Sequence, residues 1–139
     1  MATFNKFQPF VEDLTKEVHN FGSDQLKIAL TNTVPTAGLG TYSQLTSPLA
    51  TTNLSGATPF NVSTTSSVQS SGTYKLVCAD LTLTATGSVG PFRYVVLYND
   101  TAASDQLIGW YDYGSEVTLA NNETFTIDFD GANGVLTIA

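Results

Sequence analysis

The side chains that could do chemistry are few and far apart. There is one histidine, His19, and one cysteine, Cys78, and one of each does not make a tetrahedral metal shell. His19 falls near the end of an N-terminal apolar stripe. It reads as a surface or capping residue, where a cation suits a helix C-terminus. A Ser-His-Asp triad has no nucleophile-elbow sequence behind it. Cys78 lies in the apolar run Tyr74–Ala79 and reads as a buried, inert thiol, because reactive thiols need a partly exposed electropositive setting. Asp100 with Asp105, and Asp112 with Glu116, are carboxylate pairs of the type used in glycoside hydrolysis, but spacing alone does not argue for it and acids in turns are mostly solvated. Asp128, Asp130 and Asn133 offer oxygens for Ca²⁺ yet miss the EF-hand register, lacking its glycine and its closing glutamate; hairpin-turn residues are the better reading. Gly38-Leu39-Gly40 lacks a lysine and the rest of a phosphate-binding fingerprint. The expectation is a protein that is not an enzyme and uses no metal or cofactor.

Aromatic clusters point instead to contact. Trp110, Tyr111 and Tyr113 could stack on a sugar or anchor an interface. In a strand, however, Gly109, Tyr111 and Tyr113 share one face and Ile108, Trp110 and Asp112 the other, so part of the cluster must be core. Phe4, Phe7 and Phe10 carry the same ambiguity between packing on their own sheet and on a partner. The candidate partner-contact residues are Phe4, Phe7, Tyr42, Leu45, Leu49 and Trp110.

Composition narrows the partners. The 139 residues make room for one domain. Charged residues are 12% of the chain, about half the usual share of roughly 25%, and Ser plus Thr supply 33 residues. The net charge is −7, with one arginine, which argues against phosphate-backbone binding and against docking on an anionic lipid surface. No window approaches the roughly 20 apolar residues of a membrane span. The first residues lack the basic and apolar regions of a secretion signal, so the expectation is synthesis and use in a reducing compartment, and the sequons at Asn53, Asn61, Asn99 and Asn122 are chance products of a Thr-rich chain.

Charge divides the chain into three zones. Residues 1–27 carry seven charges, residues 28–74 carry none, and residues 75–139 carry two bases and eight acids. In the first zone Phe7, Phe10, Val11, Leu14 and Val18 fall on one helical stripe. The pattern predicts an amphipathic helix in a 1–22 helical segment, starting near Lys6–Pro9 and ending by Asn20–Gly22 with Gly22 as its left-handed cap. Gln25–Thr31 reads as a strand. In the third zone, a β-rich core over 75–139, strands are expected at Tyr74–Val77, Leu81–Ala85, Phe92–Tyr98 (central, buried on both faces), Leu107–Tyr113, Phe125–Phe129 and Val135–Ile138. The 28–74 zone reads as extended and arm-like, with Thr51–Ser55 and Phe60–Val68 as possible strands. Exposed edges are usually guarded by charge, so this zone is either covered by something in use or kept soluble by its hydroxyls. The fold class is mainly β, a jelly roll or β-sandwich with one N-terminal amphipathic helix.

The segments Phe4-Asn5-Lys6-Phe7, Val11-Glu12-Asp13-Leu14, His19-Asn20 and Leu26 through Pro35, then Arg93 through Thr101, Leu107-Ile108-Gly109 and Phe125 through Phe129, together resemble the capsid decoration (cement) proteins of tailed bacteriophages. The resemblance covers both ends of the chain and leaves the middle zone unmatched. It implies a jelly-roll body and a non-enzymatic clamp on the outer capsid surface of a virion, made in the host cytoplasm. Its partners would be the major capsid protein and a second copy of itself in a dimer, with no nucleic acid or membrane. The family has no motif that names a functional residue. A carbohydrate- or receptor-binding module of a phage tail is the alternative.

Overall fold

The computed structural model describes residues 2–139, and they form a mainly β protein with antiparallel sheets and one α-helix. The strands are β1 (Phe4–Lys6), β2 (Leu26–Thr31), β3 (Asn61–Val62), β4 (Thr64–Ser70), β5 (Thr73–Cys78), β6 (Leu81–Thr84), β7 (Val89–Asn99), β8 (Leu107–Leu119), β9 (Thr124–Ile127) and β10 (Leu136–Ile138); the helix is α1 (Gln8–Thr15). A five-stranded sheet runs β1-β8-β7-β2-β3, a three-stranded sheet β10-β5-β4, and a pair β6-β9. The near-continuous apolar run of β7 sits at the centre of the large sheet, with Val95, Val96 and Leu97 all at 0% exposure. A strand covered on both faces has no need of alternation.

Register assigns the faces. Phe4 opposes Tyr111, which opposes Val95, which opposes Leu30, so these four share a face. That face meets the smaller sheets. Tyr111 lies 6.0 Å from Phe129, Phe92 lies 5.1 Å from Phe125, and Tyr113 lies 4.8 Å from Phe125, each ring edge to face. Leu76, Leu83 and Ile127 complete this core at 1% exposure or less. The arrangement is a β-sandwich.

The opposite face is covered by the chain itself. Phe7 follows β1, donates its N–H to the Ile108 carbonyl, and lays its ring 4.6 Å from Trp110. Tyr42 packs 4.9 Å from Tyr98. Because β3 pairs only with Leu26 and Lys27, the rest of the β2 edge is open to other partners. Ile28 N–H donates to the Phe60 carbonyl, and Leu49 N–H donates to the Leu30 carbonyl. Residues 28–74 therefore do not stand off as an arm. They hold β3, β4 and much of β2, bury Leu45, Leu54 and Val62, and guard the β2 edge with backbone rather than charge. The Thr51–Ser55 stretch forms no strand and contributes a single bridge from Leu54 to Ala85.

Two further expectations are corrected. The helix stops at Thr15, not at Asn20–Gly22. Glu17 takes the left-handed conformation (φ 61°) and Val18 N–H reaches back to the Asp13 carbonyl, the six-to-one bond of a Schellman close. Gly22 caps nothing; its N–H donates to Asn20 Oδ1. The Asp130–Gly134 turn is also not a hairpin, since β9 pairs with β6 and β10 pairs with β5.

Candidate functional site

The six candidate contact residues separate by depth. Phe7 is fully buried and Leu45 is 8% exposed, so both are interior, Phe7 covering the outer face of the large sheet at Trp110. Phe4 is half-buried with its ring over Gly109, where an added Cβ would come within 2.2 Å of it. Trp110 is half-buried against Phe7. Tyr42 and Leu49 are half-buried and line a cleft of about 360 Å³ with Lys27, Phe60 and Tyr98. The aromatic cluster is engaged in packing: Trp110 by Phe7, Tyr111 by Phe4 and Phe129, Tyr113 by Phe125.

The acids are committed elsewhere as well. Asp112 accepts two bonds from the Arg93 guanidinium, at 2.8 and 3.1 Å, and one from Gly114 N–H. The Arg93 bonds, foremost, hold its carboxyl below the usual range. Glu116 accepts from Asn32 Nδ2 at 2.8 Å, and Asp100 pairs with Lys27 at 3.3 Å. Asp130 accepts from both the side chain and the backbone N–H of Asn133, while its own N–H donates to Asp128. These oxygens organise a turn. Among the described residues no three His, Cys, Asp or Glu side chains converge as a metal site would require.

The long unguarded edge is β4. It pairs with β5 on one side only and ends the three-stranded sheet. The Ser71-Gly72 turn has both residues at positive φ, 51° and 84°, which is the two-residue hairpin geometry that makes Ser70 and Thr73 a hydrogen-bonded pair. Alternation along the ladder then leaves the backbone groups of Ser67 and Gln69 directed away from β5. Val68 is 61% exposed, and no residue of β4 carries a charge. The other outer strands are shorter: three residues in β1 and β10, two in β3, and four in each of β6 and β9.

Sequence reasoning placed His19 on the surface, and the structure corrects this: His19 is 9% exposed. Its ring packs 5.3 Å from Phe10 and 5.4 Å from Phe21. Asn99, buried at the end of β7, accepts the N–H groups of Thr101 and Ala102 at Oδ1 and donates from Nδ2 to Asp24 Oδ2 at 2.7 Å. Those three bonds settle which end of the amide is which. Its Nδ2 also lies 3.0 Å from His19 Nδ1, so Nδ1 is the acceptor and the proton of the neutral ring is on Nε2. Burial pushes the imidazole below its usual range, against the pull of Asp13 and Asp24. The early end of α1 is what lets the chain double back to make this contact. A tertiary partner 80 residues away leaves no mark in local periodicity.

His19 also lines a cleft of about 710 Å³ between residues 14–22 and Ser67, Tyr74 and Ile138 of β4, β5 and β10. Neither a protein-family model, nor a curated protein, nor a solved structure matches this chain.

Proposed function

We propose that this protein is a non-enzymatic structural component of a tailed-phage virion. In this reading it binds the outside of the head and stabilises the major capsid protein lattice by bridging neighbouring capsomers. The observation that carries this reading is the β4 edge: seven uncharged residues with an unpaired outward ladder in a chain of net charge −7. Free edges that long are normally blunted by charge, proline or a covering segment, and here the covering segment protects β2 instead. An edge left open in a solubly charged molecule fits a protein that meets its partner late, by strand addition. Self-association fits the same feature, because two β4 strands paired antiparallel about a two-fold axis bring no like charges together. The jelly-roll connectivity implied by the resemblance belongs to this proposal.

Stabilisation follows by mass action. A ligand that binds the assembled lattice and not its dissociated subunits stabilises each site by about 2.7 kcal/mol at a free concentration 100 times Kd. Scanning calorimetry of expanded, undecorated heads should show a melting temperature that rises with added protein. A melting temperature indifferent to the protein across the saturating range overturns the reading.

A further inference from the structure

We infer that β4 pairs with β4 of a second copy, antiparallel about a two-fold axis at Val68, and that this seam is the bridge between neighbouring capsomers. The bridging role rests on the cement reading above; the pairing rests on the strand itself. Ser66, Val68 and Ser70 oppose Val77, Lys75 and Thr73 across the hairpin, and the Ser70–Thr73 pair that closes it is hydrogen-bonded. The N–H and C=O groups of Ser67 and Gln69 therefore face outward, on the side where no other strand of the sheet lies. One antiparallel register uses all of them. With Val68 on the axis, Ser67 meets Gln69 of the second copy and Gln69 meets its Ser67. Each such pair exchanges both of its N–H···O bonds, so no outward group of the two residues is left over. An axis at Ser67 would send Gln69 to Thr65, where the ladder is interrupted by a register shift. An axis at Gln69 would send Ser67 to Ser71, which is held in the turn at φ 51°.

The side chains make the strand complementary to itself in that register. On one face Val68 meets Val68 and Ser66 meets Ser70; on the other the Ser67 hydroxyl meets the Gln69 amide. Val68 is more exposed than Val11, Val34 or Ile138, and a non-hydrogen-bonded pair brings side chains closest, so the two valines cover each other. Charge agrees. Lys75 is the one charged residue on β4, β5 and β10, so a chain of net charge −7 brings no acid on these strands to the seam. Lys75 opposes Val68, which sets it three strand spacings from its mate, roughly 14 Å, beyond a Debye length of about 8 Å. A strand of another sequence has no reason to match at every position; β4 itself does. Seven residues are a small contact beside the roughly 20–30 a side of a standard interface. The pair is therefore reversible in free solution, and it gains where a lattice holds two copies side by side.

The test is a cysteine scan of the full-length protein in a glutathione redox buffer, read as covalent dimer on non-reducing gels. Val68→Cys, a change at an exposed residue, places two thiols at a pair whose Cα atoms are roughly 4.5 Å apart, within the disulfide range of about 4.4–6.8 Å. Ser67→Cys and Gln69→Cys would each stand two residues along from its own mate, roughly 8 Å away and too far to bridge. The parent controls for Cys78, which is 2% exposed. Thr137→Cys, exposed on the opposite edge strand, controls for chance collision. Because disulfide geometry is specific, Val68→Cys should dimerise about tenfold faster than the other three variants. The proposal is overturned if Val68→Cys has no advantage over Thr137→Cys, or if Ser67→Cys or Gln69→Cys equals it, which would mean another register. Since the scan needs no heads, its failure alongside saturable head binding removes the β4 seam alone. A Val68→Cys dimer without head binding removes the cement reading alone.

Discussion

His19, the sole imidazole, is an interior residue that works as an acceptor. Burial holds it below the usual imidazole range, so the unfolded chain takes up its proton at a higher pH than the native one does. Stability is then complete above the unfolded value of about 6.5 and is lost as pH falls from there toward the lowered native value. Protonation would also set an Nδ1–H against the Asn99 amide, two donors facing each other. Thermal melts between pH 8 and pH 5, above the range where carboxylates titrate, should show the parent losing stability while His19→Phe loses less; an equal loss in both contradicts this assignment. Gly109 is a second residue whose role is steric. Its missing Cβ makes room for the Phe4 ring and the Asn5 carbonyl, the close approach that glycine in a strand often marks. Gly109→Ala should cost about 1–3 kcal/mol in chemical denaturation, an overpacking penalty, and Phe4→Ala should relieve part of it, since neighbours couple. Strict additivity of the two changes would show that Phe4 is not the obstacle. Cys78 is 2% exposed and burial pushes its thiol up to about 11. A water-soluble disulfide reagent should leave it unmodified in the native state and label it on unfolding, and rapid native labelling would mean the strand is not packed as described.

At the scale of elements, β4 is where surface chemistry should translate into association. Val68→Glu places a carboxylate on the exposed face opposite Lys75; its effect on stability should stay within about 0.5 kcal/mol, as for other surface changes. Self-association measured by sedimentation equilibrium should nevertheless fall, because the two copies would then bring charge to a shared edge. An unchanged association constant would move the interface elsewhere. The elements themselves were largely legible. The unbroken apolar run of β7 announced a central strand, the alternation at Phe125 and Ile127 a half-buried one, and Gln25 through Thr31 a strand, though that both its faces are covered showed only in the structure. What escaped was set by contacts distant in sequence. The helical stripe continued to Val18, yet Glu17 turned left-handed so that His19 could reach Asn99. The middle zone looked unguarded because its partner, the β2 edge, lay at a position that only the pairing order reveals. Phe7 and Leu45 seemed free to meet a partner for the same reason, and the protein's own core claimed both, Phe7 on the outer face of the large sheet. Of the candidate surface, the absence of charge was visible in the sequence, but its concentration on β4 was not.

Taken whole, the molecule separates charge from contact. Eight of its twelve acids lie beyond residue 74, a net negative charge of the kind that favours solubility, while the strand left open for pairing is neutral. Under the proposed reading, that division suits a protein that pairs through one neutral edge and meets a finished surface presenting many equivalent sites. No helix among the described residues is long and apolar enough to cross a membrane. The central claim, attachment to a mature phage head, is tested most directly by co-sedimentation of the purified protein with expanded, undecorated heads, with unexpanded procapsids as the control. Saturable binding to expanded heads at a fixed ratio to the major capsid protein, with little on procapsids, is the predicted result. Failure to sediment with either particle at saturating concentration would contradict it.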